Sequence, residues 1–447
     1  MRNIHYILFL LITTVSFSQE VPQTLSFQEA IDYALENNRT AKNAHRDIQA
    51  AKQQKWETIA SGLPQLSATI DYNHWLKQQV SLIPAEFFGG NPGEFTEVAF
   101  GTKQTMNATA TLNQKIFDGS YLVGLQSAKV FLEISKNAKE KTELEVRKAV
   151  IDAYGNVLLS EESIKILERN ITVLDKNLYE TTKIYENGLG EEESVEQLQI
   201  TLSGIKSNLA NTKRLKTLAY KMLNITLGID LDANIQLTDN LNSLTSQNIV
   251  ISLLDADENI EQTIDYKIAE NDKVSKELLL KLEKSKAIPT LDAFLNGGYS
   301  GNNENFRFLK NSQEWFGSSL LGVSMKIPIF SSGMRSAATQ RAKINLEKAE
   351  DDLTETEQKL KLQIANAKSE YKFAIEDYQN KEDNLGLAER IEQKNQTKFF
   401  EGISSSFDLR QAQTQLYTTQ QELLQAMLDV INKKAALETV LNEIPEN

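Results

Sequence analysis

Hydrophobic residues recur with a helical period along most of this chain. The helical stretches run from about residue 25 to 61, 121 to 187, 194 to 227, 259 to 286, 335 to 401 and 407 to 442. Within them, apolar positions step alternately by three and four residues, as in Ile164, Leu167, Ile171, Leu174 and Leu178, and again in Val195, Leu198, Leu202, Ile205 and Leu209. This spacing predicts helices that pack along one another as coiled coils. The second stretch alone would form a helix about 100 Å long.

In four short segments the period of the hydrophobic pattern changes to two residues. Apolar and polar residues alternate between Leu66 and His74, Thr105 and Asn113, Leu291 and Tyr299, and Leu321 and Ile327. Such segments predict strands with one apolar face, and a strand of about 9 to 11 residues can cross a bilayer at a tilt. Aromatic residues gather in or near the two intervening loops, as at the interfaces of membrane barrels: Trp75, Phe87, Phe88, Phe95, Phe100, Phe306, Phe308, Trp315 and Phe316. The alternation alone would also fit four strands of a soluble sandwich.

Four membrane strands would leave two sheet edges without partners, which hydrocarbon does not tolerate. The smallest closed membrane barrels have about eight strands, so the chain is expected to associate with copies of itself. Three chains would supply twelve strands, although the strand count leaves a dimer open as well. The predicted fold class is therefore mainly α with a small β part: long antiparallel coiled-coil helices and four transmembrane β-strands per chain.

The order of helical and alternating segments occurs twice. Phe117-Asp118-Gly119 precedes the long helical stretch in the first half, and Phe330-Ser331-Ser332-Gly333 precedes that in the second. Tyr185-Glu186-Asn187-Gly188-Leu189 aligns with Phe399-Phe400-Glu401-Gly402-Ile403. The chain thus reads as an internal repeat, with a signal peptide at 1–18, a first repeat at 19–228, a linker at 229–257, a second repeat at 258–442 and a short tail at 443–447.

Residues 1–18 have the features of a cleaved secretory signal peptide. Arg2 lies near the start, an apolar run follows, and Ser16 and Ser18 precede the expected cleavage site. No later stretch approaches the roughly 18 consecutive apolar residues of a membrane-spanning helix. We therefore expect an exported protein that would cross a membrane, if at all, with strands.

Composition excludes several classes of function. Lys and Arg number 48 against 61 Asp and Glu, a formal net charge of −13 that argues against nucleic acid as a partner. The chain has no Cys, which excludes disulfides, thiolate metal sites and cysteine nucleophiles. His45 and His74 are not spaced as a metal motif, and Gly188-x-Gly190 lacks the other parts of a phosphate loop. We expect no catalytic residues, no cofactor and no metal site.

Together these features resemble the TolC-type outer membrane factors, the outer membrane efflux protein family of efflux pumps and type I secretion systems. The resemblance covers essentially the whole chain after residue 18. It rests on the duplicated unit, the two Phe-containing motifs and Gly-containing turns above, and the segments Leu63-Pro64-Gln65-Leu66 and Ile288-Pro289-Thr290-Leu291. It implies a homotrimer whose 12-stranded barrel contacts outer membrane lipid and whose helices form a tunnel across the periplasm. It also implies docking onto a periplasmic adaptor coupled to an inner-membrane transporter.

The resemblance further assigns roles to the two turns. They would form the periplasmic tip that docks the adaptor, with residues Asn187, Gly188, Leu189, Gly190, Glu401, Gly402, Ile403 and Ser404. Two aspartates ring the closed entrance in well-studied members; here Asp408 occupies the first position and Gln411 the second. We also expect Gly188 and Gly402 to adopt positive φ.

Three acidic residues follow the first turn and could add charge to the same pore constriction: Glu191, Glu192 and Glu193. A ring of carboxylates would attract cations into a narrow pore. A simpler explanation also fits, because acidic side chains at the start of a helix interact favourably with the helix dipole.

The preferred function is that of a passive conduit in the cell outer membrane. We expect that the protein is not an enzyme. The alternative is an exported coiled-coil scaffold or adhesin without channel activity. Two hairpins with one apolar face each favour the conduit, because a stalk does not need them. A soluble periplasmic enzyme would require a site that we do not find. The sequence leaves open whether the cargo is a drug, a metal ion or a protein.

Overall fold

The structure, a computed structural model, describes residues 23–256 and 259–443. The signal peptide predicted at residues 1–18 lies outside the described residues, as does most of the predicted tail. The chain forms two compact units, each built from parts of both predicted sequence repeats. The first contains the described residues of Met1–His45, Lys139–Ile264 and Lys359–Asn447, and the second contains Arg46–Ala138 and Asp265–Gln358.

Helices account for most of the described residues. They are α1 (Phe27–Asn37), α2 (Arg39–Ala60), α3 (Gly119–Glu186), α4 (Glu192–Leu227), α5 (Leu241–Gln247), α6 (Ile264–Ser285), α7 (Met334–Phe400) and α8 (Ser406–Leu441). Short 3-10 turns occur at Ala85–Phe88, Ile251–Asp255 and Ile260–Gln262. Across the described part of the chain, no helix combines the length and apolarity that a membrane span requires. The bounds of the long helices agree with the predicted helical stretches to within a few residues.

The first predicted helix is divided in two at Asn38. α1 begins with a capping box at Ser26 and Glu29, in which the Glu29 carboxylate accepts from the Ser26 amide at 2.8 Å. This bond holds the pKa of Glu29 below its usual value. Asn38 has a non-helical ψ of 135°, and its Oδ1 accepts from the Thr40 amide at 2.8 Å. The non-helical backbone of Asn38 therefore ends α1, and its side chain caps α2.

Tyr154 of α3 lies at the centre of the main core of the first unit. Its hydroxyl donates to the Asp239 carboxylate at 2.7 Å, and Asp239 also accepts from the Phe27 amide at 2.7 Å. Burial and this carboxylate raise the pKa of Tyr154 far above its usual value. The polar end of a large buried side chain is thus fully engaged, while its ring packs among apolar residues of several helices.

The predicted linker at 229–257 is folded where the structure describes it. It contains α5 and the short strand β6 (Gln236–Leu237), which pairs in parallel with β1 (Thr24–Leu25). Ile235, Leu241 and Leu244 are buried in the main core. The sequence indicated a linker because this segment lies between the two aligned halves of the predicted repeat.

The predicted coiled-coil seam joins α3 to α4. Leu174, Leu198 and Leu202 form a buried cluster, with Ile171 and Ile205 packed against it. Each fully buried leucine contributes about 2 kcal/mol of hydrophobic stabilisation. Apolar packing therefore joins α3 to α4 around Leu174 and Leu202.

The second unit contains a four-stranded antiparallel sheet in the order β2-β5-β7-β8. Its strands are β2 (Gln65–His74), β5 (Gln104–Phe117), β7 (Thr290–Asn303) and β8 (Phe316–Lys326). Register makes one face apolar, with the cross-strand row Leu66, Leu112, Leu295 and Leu321. The adjacent row belongs to the opposite face and comprises Ser67, Thr111, Asn296 and Leu320. The predicted alternating segments all lie on these strands or overlap them.

A further hairpin inside the first loop was not predicted. β3 (Val80–Pro84) pairs antiparallel with β4 (Phe95–Ala99). The ladder of β2 and β5 extends toward it, because the Trp75 amide donates to the Lys103 carbonyl at 2.8 Å. Phe87 and Phe88 lie in the 3-10 turn between the two strands and are mostly exposed. Phe87 and Phe88 are therefore carried by a hairpin of defined secondary structure within the loop.

Candidate functional site

The first turn that carries predicted tip residues follows α3. Gly188 has a φ of 73°, as predicted. Its amide donates to the Tyr185 carbonyl at 2.8 Å, and the Leu189 amide donates to the Ile184 carbonyl at 3.0 Å. This pair of bonds defines a Schellman turn, which requires a residue that tolerates the left-handed region.

The second turn, after α7, has the same geometry. Gly402 has a φ of 74°. Its amide donates to the Phe399 carbonyl at 3.0 Å, and the Ile403 amide donates to the Lys398 carbonyl at 2.8 Å. The two turns of the sequence repeat therefore share one backbone conformation, which the aligned glycines predict.

Both turns present apolar side chains to solvent. Leu189 and Ile403 follow the two glycines at equivalent positions and are 82% and 70% exposed. Phe407, in the first turn of α8, is also exposed, and the Arg410 guanidinium lies 5.3 Å from the centre of its ring. Phe407 was not among the predicted tip residues, although an aromatic residue directly before Asp408 was a usable signal.

Asp408 caps the helix that follows the second turn. Its Oδ2 accepts from the Ser405 hydroxyl at 2.7 Å, the Ser405 amide at 3.1 Å and the Ser404 hydroxyl at 3.1 Å. The Ser405 hydroxyl in turn accepts from the Asp408 amide at 3.2 Å, which completes a capping box. The bonds from Ser405 and Ser404 hold the pKa of the exposed Asp408 carboxyl below its usual value. All three of these bonds use Oδ2, so Oδ1 takes part in none of them.

The remaining predicted constriction residues are exposed at the starts of α4 and α8. Gln411 lies one turn after the capping box. Glu191 is the N-cap residue of α4, and Glu192 and Glu193 form its first turn. Glu193 accepts from the Gln197 amide group at 2.7 Å. The structure thus joins Asp408 to Ser404 and Ser405 and places the three glutamates at the other turn, at the positive end of a helix dipole.

Polar side chains are buried between the helices behind the turns. Asn177 of α3 is only 1% exposed and accepts from the Gln396 amide group of α7 at 2.9 Å. Gln413 of α8 is fully buried and directs its amide group to Glu392 at 3.5 Å, and burial raises the pKa of Glu392. These contacts were not predicted from the sequence, although polar residues at heptad spacing, such as Asn170 and Asn177, were an available signal.

The sheet of the second unit offers another candidate surface. Its apolar face is largely uncovered, because Leu66, Ile70, Leu321 and Val323 are all mostly exposed. Among the described strands, β2 and β8 have a neighbour on one side only. An exposed apolar face with open edges requires a further cover, such as lipid or another chain.

In the described ranges 23–256 and 259–443, no three His, Cys, Asp or Glu side chains are placed so that they could hold a metal ion together. A cavity of about 600 Å³ beside α4 is lined by ion pairs. Its Lys216 lies 2.9 Å from Glu161, and its Lys221 lies 2.6 Å from Asp232. Each charge is therefore matched by a partner.

Comparison with known proteins finds relatives over almost the whole chain. The family model described as Outer membrane efflux protein matches residues 30–228 and 279–443. The outer membrane protein TolC of Vibrio cholerae serotype O1 is 20% identical over 422 residues, which covers 94% of this chain and 91% of TolC. The match thus includes most of both predicted sequence repeats.

Solved structures have the same mixture of long helices and a small strand part. CusC, which forms a transmembrane channel, aligns with a TM-score of 0.74 at 19% identity, covering 93% of this chain and 91% of CusC. The CmeC outer membrane channel of Campylobacter jejuni aligns with a TM-score of 0.72 at 16% identity, covering 93% of this chain and 85% of CmeC. At these identities the structural similarity establishes a shared fold.

Proposed function

Because this chain belongs to the outer membrane efflux protein family, we propose that it is the outer membrane conduit of a tripartite efflux pump or a type I secretion system. The family comprises outer membrane channels, and TolC is a homologue. The observation that carries the proposal is the four-stranded sheet with one exposed apolar face and one polar face. A membrane strand needs the first face for lipid and the second for a water-filled interior.

Three copies would close the sheet into a 12-stranded barrel and surround a helical tunnel that extends into the periplasm. The open edges of β2 and β8 support this arrangement. α4 supplies a second surface, because Leu215, Leu218, Met222 and Ile225 are exposed and recur at steps of three and four. Such a stripe on a long helix suits packing against another copy.

The two turns would dock a periplasmic adaptor, which in turn is coupled to an inner-membrane transporter. The proposed docking residues are Asn187, Gly188, Leu189, Gly190, Glu401, Gly402, Ile403 and Ser404. Exposed Leu189 and Ile403 support this role, because apolar side chains on a rigid turn can enter pockets of a partner at little entropic cost. The conduit itself would be passive, with energy supplied by the transporter.

The constriction would be lined by Asp408 and Gln411, with charge added by Glu191, Glu192 and Glu193. The lowered pKa of Asp408 keeps its carboxylate charged at neutral and mildly acidic pH. We expect Asp408→Asn, which retains an oxygen for the cap, to weaken block by a multivalent cation. Asp383→Asn removes the same charge from an exposed site on α7 well before the turn and should leave block unchanged. Equal block in wild type and Asp408→Asn would remove Asp408 from the constriction.

The proposal is tested on full-length protein extracted from outer membranes in detergent. Light scattering corrected for bound detergent should give the mass of three chains, and the same preparation should form conducting pores in planar lipid bilayers. A trimer without conductance would favour the scaffold or adhesin alternative. A monomer without conductance would contradict both the barrel and the conduit.

A further inference from the structure

Three apolar side chains interrupt the otherwise polar face of the four-stranded sheet. Leu320 of β8 is directly opposite Asn296 of β7, and Phe316 is directly opposite Ser300. Residues directly opposite on neighbouring strands share a face, so Leu320 and Phe316 lie among amides and hydroxyls. Phe294 of β7 belongs to the same face and completes the set, which we call the apolar stripe (Phe294, Phe316 and Leu320).

The backbone next to Phe294 is arranged around its ring. Phe294 is directly opposite Gly322 of β8, and a Cβ added to Gly322 would collide with the ring. The aromatic ring therefore lies over the glycine, on the same face of the sheet as Leu320 and Phe316. Phe316 and Leu320 remain 53% and 58% exposed.

Association with another copy would not cover the stripe. β8 is an edge strand, so a neighbouring chain would pair with it in the plane of the sheet. Side chains stand perpendicular to that plane, and those of the stripe would still face the interior. This inference therefore rests on the proposed conduit, in which the polar face lines the water-filled path.

The charged residues of the polar face balance one another. They are two acids and two bases, at Asp71, Lys115, Asp292 and Lys326. Lys115 is directly opposite Asp292, so neither sign dominates beside the stripe. A ligand held there would be selected by apolar contact rather than by charge.

We propose that the apolar stripe is a contact site for solutes in transit, and that it favours small amphipathic molecules with an aromatic or aliphatic part. The hydroxyl and amide rows beside the stripe would accommodate their polar parts. Fully hydrated metal ions would gain nothing from Phe316 or Leu320. The stripe thus points to organic amphiphiles as the cargo class.

The test compares two cations that differ in one group, benzyltriethylammonium and tetraethylammonium, as blockers of single pores in planar bilayers. In wild type, the benzyl compound should block at a lower concentration. In the double variant Phe316→Ala/Leu320→Ala, its half-blocking concentration should rise about tenfold, the change expected for losing one good apolar contact. Block by tetraethylammonium should not change.

The matched control is Leu321→Ala/Val323→Ala, which truncates two apolar residues of the same strand on the opposite face. The half-blocking concentration of benzyltriethylammonium in this control variant should equal that in wild type. The proposal is overturned if conducting wild-type pores do not distinguish the two cations, or if both double variants lose block equally. If wild type forms no pores, the conduit itself fails and the stripe with it.

Discussion

Glu29 and Asp408 perform the same task at two helix starts. Each carboxylate accepts from the amide of a serine three residues earlier, and each has a pKa below its usual value. A lowered pKa in the folded state means that the stabilising contribution is complete above the ordinary pKa and is lost as pH falls through the lowered value. Both caps should therefore persist at pH 5, and protonation should loosen them only in stronger acid.

The turn glycines permit a direct test at the residue scale. In Gly402→Val, a β-branched side chain at a φ of 74° should cost about 1–2 kcal/mol and open the turn locally. Hydrogen exchange of the Gly402 and Ile403 amides, which bond to the end of α7, should accelerate accordingly. Gly204→Ala places a methyl group in open space within α4 and should slow exchange there or leave it unchanged. Unaltered exchange in Gly402→Val would mean that the turn does not depend on glycine.

At the scale of elements, α3 uses different chemistry toward different neighbours. Toward α4 it packs leucine and isoleucine, whereas toward α7 it buries Asn177 against Gln396. Apolar packing is non-directional, but a buried amide loses free energy unless its hydrogen bond forms. We therefore expect the apolar seam to supply stability and the polar contact to specify alignment.

Leu174→Ala tests the apolar seam. Leu174 is fully buried between α3 and α4, so its truncation should lower the free energy of unfolding by about 2–5 kcal/mol. Thermal unfolding in detergent, followed by circular dichroism, would measure the loss. Val173→Ala, at the neighbouring and partly exposed position, should change stability by less than about 0.5 kcal/mol. Similar losses for the two variants would contradict a seam centred on Leu174.

At the scale of the whole molecule, the four-stranded sheet of one chain has two edge strands, β2 and β8. β2 and β8 lie three strand spacings apart, about 14 Å in the plane of the sheet. A disulfide requires Cα atoms within about 7 Å. A disulfide between these edges would therefore have to join two chains, and the absence of natural cysteine leaves a clean background.

We propose a set of double variants, each combining Thr69→Cys with cysteine at one polar-face position of β8. We expect at least one of these pairs to form a disulfide between two chains. The positions used are Ser318, Leu320 and Ser324; Gly322 is left out because a Cβ there would collide with the Phe294 ring. Oxidation in intact cells should then produce covalent species of up to three chains on denaturing gels. Thr69→Cys with Ser319→Cys, whose side chain points to the other face, should not. If no pair cross-links, the edges do not meet in the assembly.

The amino-acid sequence by itself determined the features that depend on neighbours along the chain. These include the bounds of the long helices, the alternating faces of the strands, and the positive φ of Gly188 and Gly402, because periodicity and turn geometry are local. It also determined the family resemblance, which the match over both repeats confirmed. It did not predict the short strands β3 and β4. It also did not predict α5 and β6, which lie within the predicted linker.

Only the tertiary structure decided which distant residues meet. Asn177 and Gln396 are 219 positions apart, and Phe294 and Gly322 belong to different strands. Each compact unit likewise combines segments from both halves of the chain. No local period encodes such pairs, because they depend on the packing of whole elements. For the same reason, the apolar stripe became visible only when strand register placed its residues on the polar face.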